Sequence, residues 1–475
     1  MQLTIPIKQS SVPLHRQMYL RIREKILSGA LPGGQKLPAT RDLAEQLGVS
    51  RTVAVLAYEQ LLAEGFVAGR IGSGTYVSGA VAASRKTVSP DSAKLGLSRF
   101  GLAASRAWVN FPQQRRHWLP YDFAYGLSDL ETFPFAMWRR ILLRCARRAP
   151  ARELDYGPAG GNEALREAIT EHLRRSRAVV CNASQVIVVN GSQQALDLVA
   201  RVLIERGDIV AIEDPGYRGT KEVLRAAGAR MIPVPVDSDG LDTAHLPENA
   251  RVAFVTPSHQ FPTGTILPLA RRLELLQWAR RGNAVVVEDD YDGEFRYEGQ
   301  PLESMQGLDR EGRVVYIGTF SRTVFSALRI GYLVAPKRLV PAFTAAKWLC
   351  DRHTATLEQH ALAEFISCGM YERHLRRVRR RNTARRQALV DSIEKYLGGR
   401  VAITGDGAGS HVVLWPRRPV EEEAVIAAAA SRGTRVYGIS PYYVRAPRKA
   451  GILLGYAQMR DREIREGIRR LGEVL

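Results

Sequence analysis

The densest group of side chains able to do chemistry lies at residues 316–332, in the run YIGTFSRTVFSALRIGY. Thr319 and Ser321 supply hydroxyls, and Arg322 and Arg329 supply two guanidinium groups. Hydroxyls and guanidiniums bind oxyanions, the latter through forked, charge-assisted hydrogen bonds. A guanidinium is not a nucleophile, however. An amine that loses its proton attacks a carbonyl, whereas a guanidinium stays protonated and delocalised. A second signal is Ser192-Gln193 in NGSQQALDL (190–198), where free amides at a helix start suit a phosphate. Singly, each of these residues also reads as structural, a strand, a tight turn and a surface arginine.

The elements that must position them alternate in type. A β-rich run, 314–317, leads into Gly-Thr-Phe-Ser. Upstream, strand-like 185–189 precedes helical 192–205, and 209–212 precedes 217–227. Strand-like 251–255 precedes a helix over 269–281, and 284–287 follows. Such alternation predicts an α/β wound sheet with helices on both faces.

In this order the motifs resemble the fold-type-I aminotransferases, pyridoxal-phosphate enzymes, across essentially all of residues 119–475. In that family the loop reads GTFSK followed by LRLGY, and the lysine forms a Schiff base with the cofactor aldehyde. Here that position is Arg322. The resemblance implies a site for pyridoxal 5′-phosphate. Ser192, Gln193, Thr319, Ser321 and Arg329 surround the phosphate, and Tyr217 of EDPGY stacks on the ring. Asp289 of VVVEDDYDGEFRY pairs with the ring nitrogen, Tyr291 lies near the ring hydroxyl, and the SHQFPTG loop (258–264) follows beside the cofactor. With Arg322 in place of the lysine no catalytic residue is expected, and the cofactor is either held non-covalently or lost. Lys221, one helical turn after Tyr217, and Lys347, in AAKWLCDRH, are discounted as substitutes.

Residues 1–78 read differently. Leu14, Met18, Ile22 and Ile26 recur every fourth residue, a helix with one buried stripe that Gly29 ends. Thr40 is placed as the cap of a second helix that Gly48 closes, and Ser50 as the cap of a third that runs to Glu64. The third helix is expected to bury Val53, Ala57 and Leu61, and the pair makes a helix-turn-helix. Phe66-Val67 and Thr75-Tyr76-Val77 flank Arg70-Ile71-Gly72-Ser73-Gly74 as a hairpin wing. LPATRDLAEQLGVSR, AYEQLLAEG and RIGSGTYV resemble the winged helix of GntR-type regulators over nearly all of this module. That resemblance implies DNA contacts from Arg41, Ser50, Arg51 and Thr52 and, at the wing, from Arg70 and Gly74. Val53 departs from the family's SR-x-T pattern, removing one hydroxyl.

Between the modules, residues 79–118 are rich in Ser, small and basic side chains, and read as a flexible tether. Its basic residues, Arg85, Lys86, Lys94, Arg99, Arg106, Arg115 and Arg116, face one acid, Asp91. The arginine-rich run at 373–386 reads as the polar side of a long helix. Over 475 residues the net charge is +20 and the pI near 10.1, which favours a polyanionic partner. Four scattered cysteines read as buried thiols of a reducing compartment. No apolar run reaches the roughly 20 residues of a membrane span, and MQLTIPIKQS lacks a signal-peptide core, so a cytoplasmic protein is expected.

The fusion of both parts resembles the MocR family of regulators. It implies a homodimeric DNA-binding transcriptional regulator whose aminotransferase-like domain senses an effector and does not transaminate. The alternatives are a working aminotransferase with a DNA-binding arm, and a regulator that binds no pyridoxal compound and reads a different anion or nothing.

Overall fold

The computed structural model describes residues 11–79, 96–110, 119–297, 302–445 and 449–475. The chain divides into two compact units, residues 1–96 and 97–475.

In the first unit the helix Leu14–Leu27 buries Met18, Tyr19, Ile22 and Ile26, the stripe expected from the spacing apart from an exposed Leu14. The helix Thr40–Leu47 ends at Gly48, whose φ of 63° lies in the left-handed region that glycine enters without strain. Thr40 does not cap it: Ala39 holds the cap position in extended backbone, and Thr40 is already helical. Ser50 does hold the cap position of the helix Arg51–Ala63, but its side chain makes no capping hydrogen bond. That helix buries Ala54, Ala57, Tyr58 and Leu61, while Val53 is only partly covered. Ala57 and Leu61 are thus buried as expected, and the stripe widens to Ala54 and Tyr58, whose hydroxyl donates to the Pro38 carbonyl at 2.9 Å. The strands Val67–Arg70 and Gly74–Val77 pair antiparallel as the wing.

The second unit is built on an eight-stranded sheet. Its order is Val186–Val189, Gly331–Val334, Val314–Thr319, Val285–Asp290, Val252–Val255, Ile209–Asp214, Arg230–Asp237 and Gly240–Leu241. The five strands from Val314–Thr319 to Arg230–Asp237 run parallel, and the rest pair antiparallel. Side chains alternate between faces. Val315 and Ile317 join the core beneath the helix Ser192–Leu203, whereas Tyr316 packs on the opposite face with the helices Glu163–Arg177 and Thr356–Ser367. Burial on both faces explains the near-continuous apolar strands. A smaller antiparallel sheet orders Val401–Thr404, His411–Pro416, Ile452–Gly455 and Tyr437–Gly438, and it packs with the helices Met370–Leu397 and Asp461–Leu471.

Three expectations need correction. The run read as a tether contains a helix, Arg99–Asn110, which packs on the helix Arg218–Ala227 and belongs to the second unit. Its Arg99 and Arg106 are exposed, while Arg85, Lys86, Asp91, Lys94, Arg115 and Arg116 lie outside the described residues. The arginine-rich run is not a uniformly polar face. Arg373, Arg376, Arg377 and Arg380 are exposed, but Arg385 is buried and ion-paired with Asp129 at 2.8 Å. The cysteines are free but not buried: Cys145 and Cys181 are partly covered, and Cys350 and Cys368 are exposed.

Candidate functional site

In the first unit the expected DNA-contacting residues share one property, exposure. Arg41 lies in the first turn of the helix Thr40–Leu47, and Ser50, Arg51 and Thr52 open the helix Arg51–Ala63; all four are exposed. No acidic residue occupies the first turn of Arg51–Ala63, so its positive dipole end is unopposed. At the wing, the Arg70 guanidinium lies 4.7 Å from the centre of the Tyr76 ring. Gly74 has a φ of 112°, and a Cβ there would come within 3.1 Å of Cε of Lys36. Lys36, exposed and bridged to Tyr76 across the hairpin, is a cation of this surface that sequence reasoning missed. Its signal was a lone lysine before a proline-led helix start, too common to single out.

In the second unit the site forms where parallel strands end. Open α/β sheets bind ligands beyond the carboxyl ends of their strands. Asp289 closes Val285–Asp290, Thr319 closes Val314–Thr319 and Thr256 follows Val252–Val255, so three loops converge. Together with the start of the helix Ser192–Leu203 they enclose a cavity of about 380 Å³. All eight residues expected around a cofactor line it: Ser192, Gln193, Tyr217, Asp289, Tyr291, Thr319, Ser321 and Arg329. Arg322 lines it too. Tyr125, Gly126, Leu127, Thr256, Phe261 and Ser326 complete the wall; apart from Phe261 in the SHQFPTG loop, sequence reasoning did not reach them.

The anion-facing end is tightly braced. Arg329 has a φ of 53° and donates from Nη2 to the Asn190 carbonyl at 2.9 Å. Gly191 lets it approach, since a Cβ there would lie 2.7 Å from that nitrogen. Behind it, Asp351 accepts from Asn190 Nδ2 at 2.6 Å, Gln194 Nε2 at 2.7 Å and Lys347 Nζ at 2.6 Å. Lys347 is thus consumed in holding the start of the helix Ser192–Leu203. Burial lowers the pKa of its amine, against the pull of Asp351. Lys221 is also buried; it lines a small adjoining cavity with Tyr217, Thr256 and Asp289, and its Nζ is held 3.4 Å from the carbonyls of Pro441 and Tyr443.

The cavity wall also carries two unsatisfied polar atoms. Asp289 Oδ1 and Arg322 Nη1 are buried without a hydrogen-bond partner among the described residues. Burial, reinforced by the Asp290 charge, raises the Asp289 carboxyl to about 7 despite the nearby Arg322. The Arg322 guanidinium lies 5.8 Å from the centre of the Tyr291 ring and packs so closely on Gly126 that a Cβ there would sit 2.5 Å from Nη1. The Tyr291 phenol is 3.1 Å from His259 Nδ1, while His259 Nε2 faces the Gly405 carbonyl at 3.4 Å. The carbonyl takes the Nε2–H, so Nδ1 accepts and the phenol donates. Burial holds His259 neutral, its pKa lowered to about 4. Tyr291, expected beside a ring hydroxyl, therefore has its proton committed to His259. Aromatic walls finish the cavity, with Tyr217 edge-on to Phe261 at 5.8 Å between ring centres.

Residues 14–77 match the bacterial regulatory proteins of the gntR family, and residues 127–471 match aminotransferase class I and II. The chain is 40% identical to the probable rhizopine catabolism regulatory protein MocR of Rhizobium meliloti, covering 98% of this chain and 94% of that one. It is 31% identical to the pyridoxine biosynthesis transcriptional regulator PdxR of Corynebacterium glutamicum, over 95% of this chain and 93% of that one. Among solved structures it resembles LysN, the α-aminoadipate aminotransferase of Thermus thermophilus complexed with N-(5′-phosphopyridoxyl)-L-leucine. The TM-score is 0.73 at 30% identity, covering 80% of this chain and 98% of that one. A gntR-type winged helix followed by an aminotransferase class I and II domain is thus matched over nearly the whole chain by named regulators, and the protein belongs to the helix-turn-helix transcriptional regulators of the MocR/GntR type.

Proposed function

We propose that the second unit is the effector-reading and dimerisation module of this regulator and carries out no transamination. The observation that carries the reading is the cationic content of the cavity: its wall holds Arg322 and Arg329 and, among the described residues, no lysine. Arg322 occupies the position at which the aminotransferase loop has its Schiff-base lysine, and the amines of Lys221 and Lys347 are engaged elsewhere. The rest of the cavity fits pyridoxal 5′-phosphate. Ser192, Gln193, Thr319, Ser321 and Arg329 would hold the phosphate, Tyr217 would face the ring, and the orphaned Asp289 oxygen would meet the ring nitrogen. When bound, that compound brings an electrophilic aldehyde and an electron-withdrawing ring. A wall without an amine holds it reversibly. The relatives support a vitamin-B6-type ligand: PdxR is named for pyridoxine biosynthesis, and LysN was solved with a phosphopyridoxyl compound.

DNA recognition is assigned to Arg41, Ser50, Arg51, Thr52, Arg70, Gly74 and Lys36 on the first unit. A homodimer is supported by exposed apolar side chains: Tyr156, 74% exposed, and Trp348, 51%, which both flank the Arg352 guanidinium, and Leu349, 77%. No helix among the described residues is long and apolar enough to cross a membrane, in keeping with a cytoplasmic regulator. The test is to mix purified protein with pyridoxal 5′-phosphate and treat it with borohydride. Wild type is expected to show a thermal shift, the free-cofactor spectrum and no added mass. Arg322→Lys is expected to gain the mass of one phosphopyridoxyl group. Mass trapped on wild type would instead favour a working aminotransferase with a DNA-binding arm. No thermal or spectral response in either protein would mean that the cavity reads another anion.

A further inference from the structure

The cavity's second cation raises a question that the phosphate does not answer. One anionic group satisfies the cluster of Ser192, Thr319 and Arg329, but Arg322 adds a second cation to the same wall, against Gly126 and the Tyr291 ring, with Nη1 buried and unpartnered. A buried lysine relieves such a situation by losing its proton; a guanidinium does not, so it requires an anion or several good acceptors. Two buried carboxyls feel its charge, but neither makes a hydrogen bond with it among the described residues. Burial pushes Asp289 up to about 7, so it is only partly ionised near neutrality, and Asp292, pushed up to about 6 and mostly ionised, accepts from the Ser410 amide instead. The Tyr291 phenol, already directed at His259, presents its ring face to the guanidinium and does not complete the fork. A neutral aldehyde or alcohol offers one acceptor and no charge. A carboxylate offers two oxygens in the geometry that the fork matches.

Building on the reading that this cavity takes a phosphorylated ring, we propose that Arg322 makes it selective for a phosphorylated aromatic compound that also bears a carboxylate. The phosphate seats at the Ser192 and Arg329 end, the ring faces Tyr217, and the carboxylate pairs with Arg322. The substitution that removes the covalent anchor thereby installs a specificity determinant. Two sources share this chemistry: a ring whose aldehyde carbon is oxidised to an acid, and a ring carrying an amino acid whose own carboxylate reaches Arg322.

Four probes separate the outcomes when titrated into the full chain by calorimetry: pyridoxine 5′-phosphate, pyridoxal 5′-phosphate, 4-pyridoxic acid 5′-phosphate and N-(5′-phosphopyridoxyl)-L-leucine. At least one carboxylate-bearing probe is expected to bind wild type ten times or more tightly than pyridoxine 5′-phosphate, and which of the two does so identifies the source. In Arg322→Gln that ratio is expected to fall toward one. Circular dichroism and melting temperature establish that the variant is folded, and Arg322→Lys, which keeps the charge, is expected to retain part of the preference. Equal affinity of wild type for all four probes overturns the proposal while leaving a phosphate-binding cavity intact. Preference for the alcohol or aldehyde overturns it as well. Binding of none of them overturns both the proposal and the reading on which it rests. A preference that survives in Arg322→Gln assigns the selectivity to another residue and refutes the role of Arg322.

Discussion

Replacing Asp289 with Asn tests the electrostatics of the cavity without any ligand. In the folded protein the Asp289 carboxyl is fully enclosed, and burial first, then the charge of Asp290, raise its pKa from 3.8 to about 7. Below 3.8 the group is neutral in both folded and unfolded chains, so its contribution to stability is then fully present. Between 3.8 and about 7 the unfolded chain ionises while the folded one keeps its proton, and stability falls as pH rises. At about 1.36 kcal/mol per pH unit the full loss is roughly 4 kcal/mol, and relaxation of the site brings the expected value to about 2–4 kcal/mol. Asn has no proton to lose. The difference in unfolding free energy, Asp289→Asn minus wild type, should therefore climb by that amount from about pH 4 to about pH 8. The assay is urea unfolding across this range, followed by tryptophan fluorescence. All six tryptophans lie beyond residue 97, so the signal reports the second unit alone. The buried acids Glu288 and Asp292 also titrate upward, but they are common to both proteins and cancel in the difference, whereas Glu213, whose charge helps raise Asp289, is coupled to it and adds to the climb. A difference that stays flat across the range would refute the reasoning, since Asp289 would then be ionised throughout and Arg322 would already have its counter-charge.

Other outcomes follow from the same geometry. Arg51→Ala should weaken binding to the native operator by about 1–3 kcal/mol if its fork reads a base edge, as measured by fluorescence anisotropy. Wild-type affinity should also drop steeply with added salt as phosphates release counterions, and unchanged affinity in the variant would misplace the recognition helix. Arg329→Ala should raise the Kd for any phosphorylated ligand by about tenfold or more, taking a charged hydrogen bond at about 1.5–3 kcal/mol. Calorimetry showing equal affinity would put the phosphate elsewhere.

What the sequence disclosed about the site was what local chemistry dictates. Ser192, Thr319, Asp289 and Tyr217 sit at strand ends or helix starts, where the residue types announce both the element boundary and the anion or ring they suit. These elements deliver all of them to one cavity. Contacts made by residues far apart in the chain were not legible. Gly126 belongs to no motif, yet only a residue without a Cβ lets Arg322 lie where it does. Tyr291 and His259 are each conspicuous in the sequence, but that the phenol gives its proton to the imidazole depends on the Gly405 carbonyl binding the other ring nitrogen. Charge patterns failed for the same reason. The run 373–386 looks uniform, but Asp129 draws Arg385 inward, while Arg373, Arg376, Arg377 and Arg380 stay exposed.

The cap of the second helix failed for a different reason. Thr40 has the right residue type, but the helix begins one residue earlier than the hydroxyl signal implied: Ala39 is the last extended residue and Thr40 is already helical, and helix start is a backbone property before it is a side-chain one. The helix Arg99–Asn110 shows the converse. Its sequence lacks a clean apolar stripe because much of it is exposed: Phe100 is 50% and Trp108 66% accessible, and over residues 99–108 the partly covered positions are the small Gly101, Ala103 and Ala107. Apolar periodicity reports burial more than it reports helicity, so a helix that buries only small residues reads as a linker. The same limit applies to Arg322. The loop motif fixes where it sits, whereas its meaning comes from its surroundings: a nitrogen left without a partner, a glycine with no side chain to fill the space, and an Asp289 carboxyl that burial keeps only partly ionised.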